Sequence, residues 1–281
     1  MEIVIAREVG YCYGVRDAVG MAIREAAEAR GARVYTLGPI IHNQHTIDML
    51  RKEHNVHTVN SVGEIGEPGA AVLVRTHGTT PAVFRELGEK GLSVKDATCP
   101  FVLKTQSKAR EMAAEGYHVV VLGHRDHPEV VGIAGQVPGG CTIVDRKEDL
   151  DGLGRHARIA VLFQSTAAFE DYRWAVDEIA GRCYEMRLFQ TVCGVTLTRQ
   201  KRTEEVAREV DAMIVIGGRH SSNTRKLVEI SGKHCRTYHI EEPEEVDAID
   251  LAGVRRVGIS TGTSTPDLLV DKVVERLRAR A

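Results

Sequence analysis

Short apolar runs recur along the chain, and segments with helical periodicity lie between them. Three of these runs are Arg33–Leu37 (RVYTL), Tyr117–Leu122 (YHVVVL) and Ala212–Ile216 (AMIVI). Continuous apolar runs of this length are typical of strands that are buried on both faces, as in parallel sheets. Apolar residues between 19 and 26 are spaced as i, i+3, i+4 and i+7, and Gly31 follows as a helix-ending glycine would. With a first strand predicted at MEIVI, the pattern indicates an alternating α/β fold.

Three segments of the chain resemble one another in the order of their residues. Each ends a predicted strand, continues with a glycine, and places a histidine or serine four residues after that glycine. A cysteine precedes each glycine by 24 to 26 residues. Such a repeat predicts repeated structural units, the alternative being a coincidence among common residues. The segments are LGPIIHN (37–43), LGHRDHPE (122–129) and IGGRHSSN (216–223), and their cysteines are Cys12, Cys99 and Cys193.

A second predicted strand in each unit also ends in polar residues. These strands are VLVRTHG (72–78), AVLFQST (160–166) and VGISTGTSTP (257–266). The chain therefore divides into three predicted lobes, 1–96, 97–190 and 191–281. Ligands bind beyond the carboxyl ends of parallel strands, so the loops of three facing lobes would converge on one cavity. We expect an α/β fold of three pseudo-threefold-related lobes, with small, mostly parallel sheets around a central site.

The three cysteines in register each stand just before a predicted helix. A thiolate at a helix N-terminus has a lowered pKa and backbone N–H groups nearby, which suits a metal or cluster ligand. One such cysteine alone would more often be a small buried hydrophobic residue, but three in equivalent positions favour a shared function. Soft thiolates suit either zinc or an iron–sulfur cluster, and three of them would leave one position open. The remaining cysteines are interpreted as structural: Cys141, Cys183 and Cys235.

Polar residues at strand ends and helix starts form a second candidate group. Serine and asparagine at a helix start are ordinary N-caps, and each alone has that simpler explanation. Helix N-termini also bind phosphate through their N–H groups, and two of them together with two histidines predict a phosphate or diphosphate site. The chain has neither a Walker A sequence nor GxGxxG, which argues against a common nucleotide site. The group comprises His42, His77, Ser221, Ser222, Asn223 and Ser264.

Glu129, two residues after His127, is the candidate acid. A carboxyl group inside a cavity can hold or deliver protons, with a pKa set by its burial. Gln164, Ser165 and Thr166 offer hydrogen-bond donors at the end of a neighbouring strand. The alternative is that Glu129 only begins a helix, where the dipole favours a negative charge.

Composition excludes several classes of protein. The 281 residues carry 37 Lys and Arg against 39 Asp and Glu, a formal net charge of −2, and no basic block stands out. This gives no electrostatic footprint for nucleic acid or an anionic membrane. No segment approaches the roughly 20 apolar residues of a membrane span, and the N-terminus lacks the basic start of a signal peptide. We therefore expect a cytoplasmic protein, a compartment where structural disulfides are rare.

An ordered set of motifs resembles 4-hydroxy-3-methylbut-2-enyl diphosphate reductase, the LytB/IspH family. The motifs are GYCYGV, GPIIHN, RTHG, DATCP, GHRDHPEVVG, RQ (199–200), HSSNT and STGTSTPD, and they cover essentially the whole chain. The resemblance implies a trefoil of three α/β lobes around an oxygen-sensitive 4Fe-4S cluster, one per chain, whose apical iron has no cysteine ligand. It also implies the last step of the methylerythritol phosphate route, in which an allylic alcohol diphosphate loses water reductively to give isopentenyl and dimethylallyl diphosphate.

The matching motifs imply roles for individual residues. The cluster ligands would be Cys12, Cys99 and Cys193, and the apical iron would bind the substrate hydroxyl. Glu129 would deliver protons, His127 would help to orient the substrate, and Thr166 or Ser165 would hydrogen-bond the hydroxyl end. The diphosphate would be held by His42, His77, Ser221, Asn223 and Ser264, with Ser222 close by.

The chain departs from the family pattern in two places, and other functions stay open from the residues alone. The usual QTT is Gln164-Ser165-Thr166 here, which keeps the hydroxyl, and the usual CNAT is Cys193-Gly194-Val195-Thr196. Electrons would come from ferredoxin or flavodoxin, because no flavin or NAD fingerprint is present. The alternatives are an iron–sulfur or zinc lyase acting on another phosphorylated substrate, and a non-catalytic redox sensor or phosphometabolite-binding protein.

Overall fold

The computed structural model describes residues 1–280 and has twelve strands and nine α-helices within that range. In chain order the strands are β1 (Glu2–Ile5), β2 (Val34–Leu37), β3 (Val56–Val59), β4 (Ala71–Val74), β5 (Ser93–Asp96), β6 (His118–Leu122), β7 (Thr142–Val144), β8 (His156–Phe163), β9 (Cys183–Leu188), β10 (Ala212–Ile216), β11 (Arg236–Ile240) and β12 (Arg256–Thr261). The α-helices are α1 (Tyr13–Glu28), α2 (Gln44–His54), α3 (Pro81–Glu89), α4 (Pro100–Ala114), α5 (Pro128–Ala134), α6 (Phe169–Ala180), α7 (Gly194–Ala207), α8 (Ser222–Gly232) and α9 (Asp267–Ala279). Short 3-10 segments occur at Val62–Glu64, Lys147–Leu150 and Pro243–Ala248. The three apolar runs of the sequence form β2, β6 and β10, which confirms those strand predictions.

The strands form three four-stranded sheets that share one strand order. The sheets are β3-β2-β4-β5, β7-β6-β8-β9 and β11-β10-β12-β1. Every pairing within them is parallel. An α-helix connects β2 to β3, β4 to β5, β6 to β7, β8 to β9 and β10 to β11, because neighbouring parallel strands need a crossover connection. The prediction of an α/β fold with small parallel sheets is confirmed.

The third sheet takes its fourth strand from the beginning of the chain. Glu2 of β1 lies opposite Arg256 of β12, and Ile5 lies opposite Ile259. The predicted first lobe, 1–96, includes these residues, because each predicted lobe is one continuous segment. The strand instead has the place in its sheet that β5 and β9 have in theirs, and Ile3 packs against the core of that sheet.

The chain forms two compact units, and each is described by itself. The first unit consists of residues 1–16, 41–49 and the chain from Gly194 onward, and it contains the sheet β11-β10-β12-β1. The second unit consists of residues 17–40 and 50–193, and it contains the other two sheets. The three lobe ranges drawn from the sequence stay predictions.

Buried central strands hold the polar loops in place. Every residue of β10 has 0% exposure, and so has each residue from Ile159 to Phe163 in β8. A glycine directly follows β2, β6 and β10. Its N–H donates to the carbonyl oxygen of the last residue of the next strand in the chain: Gly38 to Val59, Gly123 to Val144 and Gly217 to Ile240. The three loops that follow these glycines therefore begin from the same backbone frame. None of the helices described between residues 1 and 280 has the length and apolar character to cross a lipid bilayer.

Candidate functional site

Cys12, Cys99 and Cys193 have equivalent places in the three sheets. Each follows the fourth strand of a sheet and directly precedes a helix, which is α1, α4 or α7. In each case the cysteine N–H donates to the carbonyl oxygen of the residue two positions after the end of the neighbouring strand in its sheet, which is β12, β4 or β8. The acceptors are Thr263 for Cys12 (3.0 Å), Thr76 for Cys99 (3.0 Å) and Ser165 for Cys193 (2.9 Å). The register inferred from spacing is thus present in the backbone hydrogen bonds.

The donor chemistry at these three positions fits a group that is bound through thiolates. All three side chains are half-buried. The carbonyl oxygen of Cys12 accepts the Arg16 N–H at 2.9 Å, and that of Cys99 accepts the Leu103 N–H at 3.0 Å, so the helices begin at the cysteines. Helix N-termini favour negative charge, and soft sulfur ligands favour zinc or iron–sulfur clusters. The residues present therefore fit an iron–sulfur group.

The other three cysteines have a different environment. Burial raises the pKa of the Cys141 thiol to about 11, and it also raises the pKa of the Cys183 and Cys235 thiols. Cys183 Sγ donates to the carbonyl oxygen of Ile179 at 3.6 Å. Neutral thiols that act as weak donors agree with the interpretation of these cysteines as structural.

In the first unit, the loops before α2, α8 and α9 contact one another. The Ser264 hydroxyl donates to the carbonyl oxygen of His42 at 3.2 Å. A Cβ on Gly218 would lie 2.5 Å from that same oxygen. Gly217 has φ +147°, and a Cβ there would lie 2.7 Å from Thr265 Oγ1. Only glycine allows this approach, so the glycine that was identified in the repeat has a structural reason.

The start of α8 carries the most unusual polar side chain of this group. Ser221 is the N-cap, and its Oγ accepts the N–H of Thr224 at 3.3 Å. Ser222 is the half-buried first residue of the helix. Asn223 is only 1% exposed, yet neither atom of its amide has a hydrogen-bond partner in residues 1–280. A buried amide without a partner is unfavourable in the unliganded protein, and a bound polar ligand would satisfy it.

In the second unit, two predicted histidines meet at the start of α5. The rings of His77 and His127 are 5.2 Å apart between centroids and perpendicular. His127 is the N-cap of α5, and its Nδ1 accepts the N–H of Glu129 at 3.2 Å. That bond fixes the imidazole with Nδ1 as the acceptor, so Nε2 carries the proton of the neutral ring.

Glu129 is buried and fully engaged with one neighbour. Its exposure is 1%, its Oε1 accepts the Ser165 N–H at 2.6 Å, and its Oε2 lies 2.7 Å from Ser165 Oγ. Burial raises the pKa of this carboxyl, while the hydrogen bonds from Ser165 act in the opposite direction. A carboxyl that holds its proton more strongly than usual suits a proton donor.

Gln164 organises the loop that carries Ser165 and Thr166. Its Oε1 accepts the His124 N–H at 3.0 Å, and its Nε2 donates to Thr166 Oγ1 at 3.0 Å. Gln164 is 1% exposed, so this pair of bonds fixes the direction of the Thr166 hydroxyl from inside the protein. The departure from threonine to serine at position 165 keeps the hydroxyl that contacts Glu129.

The structure places the predicted residues in two groups and adds others. In the first unit lie Cys12, His42, Ser221, Ser222, Asn223 and Ser264, and in the second lie His77, Cys99, His127, Glu129, Ser165, Thr166 and Cys193. Sequence reasoning did not select Arg199 or Gln106, which are buried on the helices that follow Cys193 and Cys99. The RQ motif (199–200) was the one sequence feature that pointed to Arg199. The burial of a charged side chain cannot be predicted from a helical segment alone.

The chain is similar to known proteins along its whole length. The profile of the family described as LytB protein matches residues 3–278. A 4-hydroxy-3-methylbut-2-enyl diphosphate reductase of Geobacter metallireducens is 40% identical over 279 residues, which cover 99% of this chain and 97% of that protein. The enzyme of the same name from Aquifex aeolicus is 40% identical over 282 residues, with 99% and 96% covered.

Solved structures agree with this similarity. One, described as (E)-4-hydroxy-3-methyl-but-2-enyl diphosphate reductase, the terminal enzyme of the non-mevalonate pathway, has a TM-score of 0.75 and 39% identity, with 99% of this chain and 100% of that chain covered. The E-1-hydroxy-2-methyl-but-2-enyl-4-diphosphate reductase from Plasmodium falciparum has a TM-score of 0.90 over 98% of this chain and 87% of that chain. At 23% identity the second likeness bears on the fold alone.

Proposed function

This chain belongs to the LytB protein family, and from that premise we propose that it reduces 4-hydroxy-3-methylbut-2-enyl diphosphate. The products are isopentenyl diphosphate and dimethylallyl diphosphate. The reaction consumes two electrons and two protons, breaks the carbon–oxygen bond of the allylic alcohol, and releases water. The observation that carries the proposal is the 40% identity to a reductase of this name over 99% of the chain. The buried amide of Asn223, which has no partner within residues 1–280, and the buried carboxyl of Glu129, whose pKa burial raises, each support it.

We propose that Cys12, Cys99 and Cys193 hold one 4Fe-4S cluster per chain. Their equivalent backbone hydrogen bonds and their positions at helix N-termini support this assignment. When bound, such a group supplies electrons one at a time and a Lewis-acidic iron for the departing oxygen.

The diphosphate end of the substrate is bound by the first unit. Ser221 and Asn223 stand at the start of α8, and Ser264 lies three residues before α9 begins. Backbone N–H groups and the helix dipole attract anions at helix N-termini. The side-chain amide of Asn223 gains the partner that it lacks in the unliganded protein. His42 and Ser222 of this unit are further ligands of the phosphates, and so is His77, which belongs to the second unit.

The hydroxyl end of the substrate meets the second unit. Glu129 donates a proton from its buried carboxyl, and the Ser165 N–H and hydroxyl hold that carboxyl in one orientation. Thr166, whose hydroxyl accepts a bond from Gln164, directs its own proton outward to the substrate oxygen. His127 orients the substrate from the N-cap of α5.

The electrons come from an external carrier protein. The sequence has no flavin or nicotinamide fingerprint, which supports ferredoxin or flavodoxin as the donor. The cytoplasmic location stays a prediction.

An anaerobic assay tests the proposed reaction. The purified chain with its iron and sulfide measured is mixed with a reduced viologen dye, and oxidation of the dye is followed after the substrate is added. We expect oxidation that depends on the substrate, with two dye molecules consumed for each C5 diphosphate formed. Inorganic diphosphate in place of the substrate is the control. Conversion of the substrate without dye oxidation would indicate a lyase, and no conversion by a protein with an intact cluster would refute the proposed function.

A further inference from the structure

Arg199 is a buried cation on α7. It is 3% exposed, and a single nitrogen, Nη1, donates to four oxygen atoms of the first unit. The acceptors are the carbonyl oxygens of Gly10 (3.0 Å), Thr261 (3.1 Å) and Gly262 (2.9 Å) and Thr261 Oγ1 (3.1 Å). Arginine is rarely buried to this extent without a carboxylate partner, so the position needs an explanation.

One of the oxygen atoms that Arg199 binds, the Gly10 carbonyl, belongs to the segment that leads into Cys12, and the other three belong to Thr261 and Gly262 at the end of β12. The carbonyl of Gly10 accepts from Arg199, and the N–H of Gly10 donates to Thr261 Oγ1 at 2.9 Å. Two residues later, the Cys12 N–H donates to the Thr263 carbonyl at 3.0 Å. Gly10 has φ +84°, a backbone conformation that favours glycine over residues with a Cβ. The approach to Cys12 is thus held from both sides.

The guanidinium of Arg199 is bound by backbone and hydroxyl oxygens rather than by a carboxylate. Arg199 makes no ion pair with an acidic side chain in the part of the chain that the structure describes. Burial lowers the pKa of Arg199, and Cys12, Glu8 and Asp267 act in the opposite direction. The geometry places this buried cation on the backbone two residues before Cys12, a candidate thiolate ligand, where its charge can act on that ligand.

The architecture of the repeat does not require this arginine. Arg199 stands six residues after Cys193, and the same position holds Thr105 after Cys99 and Ala18 after Cys12. Thr105 donates only to the carbonyl oxygen of Phe101 within its own helix. The other two equivalent helices pack without a cation at this position, so Arg199 serves something other than the fold that they share.

We propose that Arg199 is the positioning residue for Cys12, fixing its loop and placing a buried positive charge beside the bound iron–sulfur group. The inference rests on the proposed function for the nature of that group. Three thiolates give the cluster a negative charge that grows when it gains an electron, and a nearby buried cation favours the reduced form. Arg199 therefore contributes both to retention of the cluster and to its reduction potential.

Three variants separate these contributions. Arg199→Met removes the charge and the hydrogen bonds, and Arg199→Lys keeps the charge and loses the planar fork. Arg202→Met removes a half-buried arginine of the same helix that pairs with Glu205. The reduction potential of the cluster is titrated by electron paramagnetic resonance, and iron release to a chelator is timed. Hydrogen exchange of the amides of residues 10–12 is measured in the cluster-free protein.

We expect Arg199→Met to lower the ratio of reduced to oxidised cluster about tenfold at fixed potential, which equals about 59 mV for one electron. Arg199→Lys should keep a potential close to that of the parent but lose iron faster. Both should exchange the amides of residues 10–12 about fivefold faster than Arg202→Met, since a hydrogen bond contributes about 1 kcal/mol.

Equal exchange rates in Arg199→Met and Arg202→Met would overturn the positioning role, and an unchanged potential would overturn the charge effect. If Arg199→Met does not fold, Arg199→Lys decides the positioning role by the same exchange measurement. A parent chain that assembles no cluster would refute the proposed function, while the exchange comparison would still decide whether Arg199 holds the loop.

Discussion

Glu129 and Asn223 have the same position in two repeats and opposite states of hydrogen bonding. Glu129 lies six residues after Gly123, and Asn223 lies six residues after Gly217. Each is the second residue of the helix that follows, α5 or α8. Both side chains are 1% exposed. The two oxygens of Glu129 are bound by Ser165, whereas neither atom of the Asn223 amide has a partner in the described chain.

This difference shows how one backbone frame supports two kinds of chemistry. A proton donor must keep its orientation and its proton before the substrate arrives, so its hydrogen bonds are internal. A ligand-binding amide gains most when its partner is the ligand itself, so it is left unsatisfied. In the first repeat the same position holds Gln44, which is exposed and donates to Asp48 at 2.9 Å, an ordinary contact on a helix surface.

The largest effect that we predict is from Glu129→Gln. The amide cannot deliver the proton, and general acid catalysis is worth about a hundred- to ten-thousandfold, so kcat should fall by about that factor. The affinity for substrate and the iron content should stay close to those of the parent, because Glu129 does not bind the diphosphate. Glu148→Gln, which changes an exposed carboxylate of the same unit, is the control for kcat and iron content. Full turnover in Glu129→Gln would remove the carboxyl from the mechanism.

The contrast between Glu129 and Asn223 was only partly readable from the sequence. The cysteine and glycine spacing predicted the repeat, the sheets and both residues as candidates, since periodic patterns depend on local sequence. The state of each side chain depends on residues far away: Ser165 lies 36 positions from Glu129. The pairing of β1 with β12 and the burial of Arg199 could not be predicted for the same reason, because both depend on residues far away in the sequence. Contacts between distant segments leave no periodic trace in either segment.

Asn223→Ala should weaken diphosphate binding and leave the protein no less stable. A hydrogen bond from the amide nitrogen to a charged group is worth about 1.5 to 3 kcal/mol, so the loss of one such bond should raise KM about 10- to 150-fold with little change in kcat. The melting temperature of the unliganded protein should not fall, because the variant removes a buried amide that has no partner. Gln44→Ala, at the equivalent position of the first repeat, should leave KM unchanged. A marked loss of stability in Asn223→Ala would mean that the amide is used within the protein.

Ser165→Ala should have a smaller effect than either change. Ser165 Oγ lies 2.7 Å from Glu129 Oε2, and its loss removes one hydrogen bond of about 1 kcal/mol, so kcat should fall roughly fivefold to tenfold. Ser165→Thr keeps the hydroxyl and restores the usual family motif, and its kcat should stay within about twofold of the parent when a bond of this strength is retained. Equal losses in both variants would show that the space at position 165 matters rather than the hydroxyl.

The smallest predicted effect is a pH dependence of stability that belongs to Glu129 and not to Asn223. Burial raises the pKa of the folded Glu129 carboxyl above its value in the unfolded chain, which is about 4.3. The stability that the protonated carboxyl provides is fully present below that value and is lost as the pH rises through the raised pKa of the folded state. Glu129→Gln has no proton to lose. Its stability relative to the parent should therefore increase between about pH 4.3 and the pH where the folded carboxyl ionises, by about 1.4 kcal/mol for each unit of the shift.

Urea unfolding of the parent, Glu129→Gln and Asn223→Ala across this pH range measures the effect. Asn223→Ala should follow the parent at every pH, and a constant difference between Glu129→Gln and the parent would mean that Glu129 titrates alike in the folded and unfolded chain.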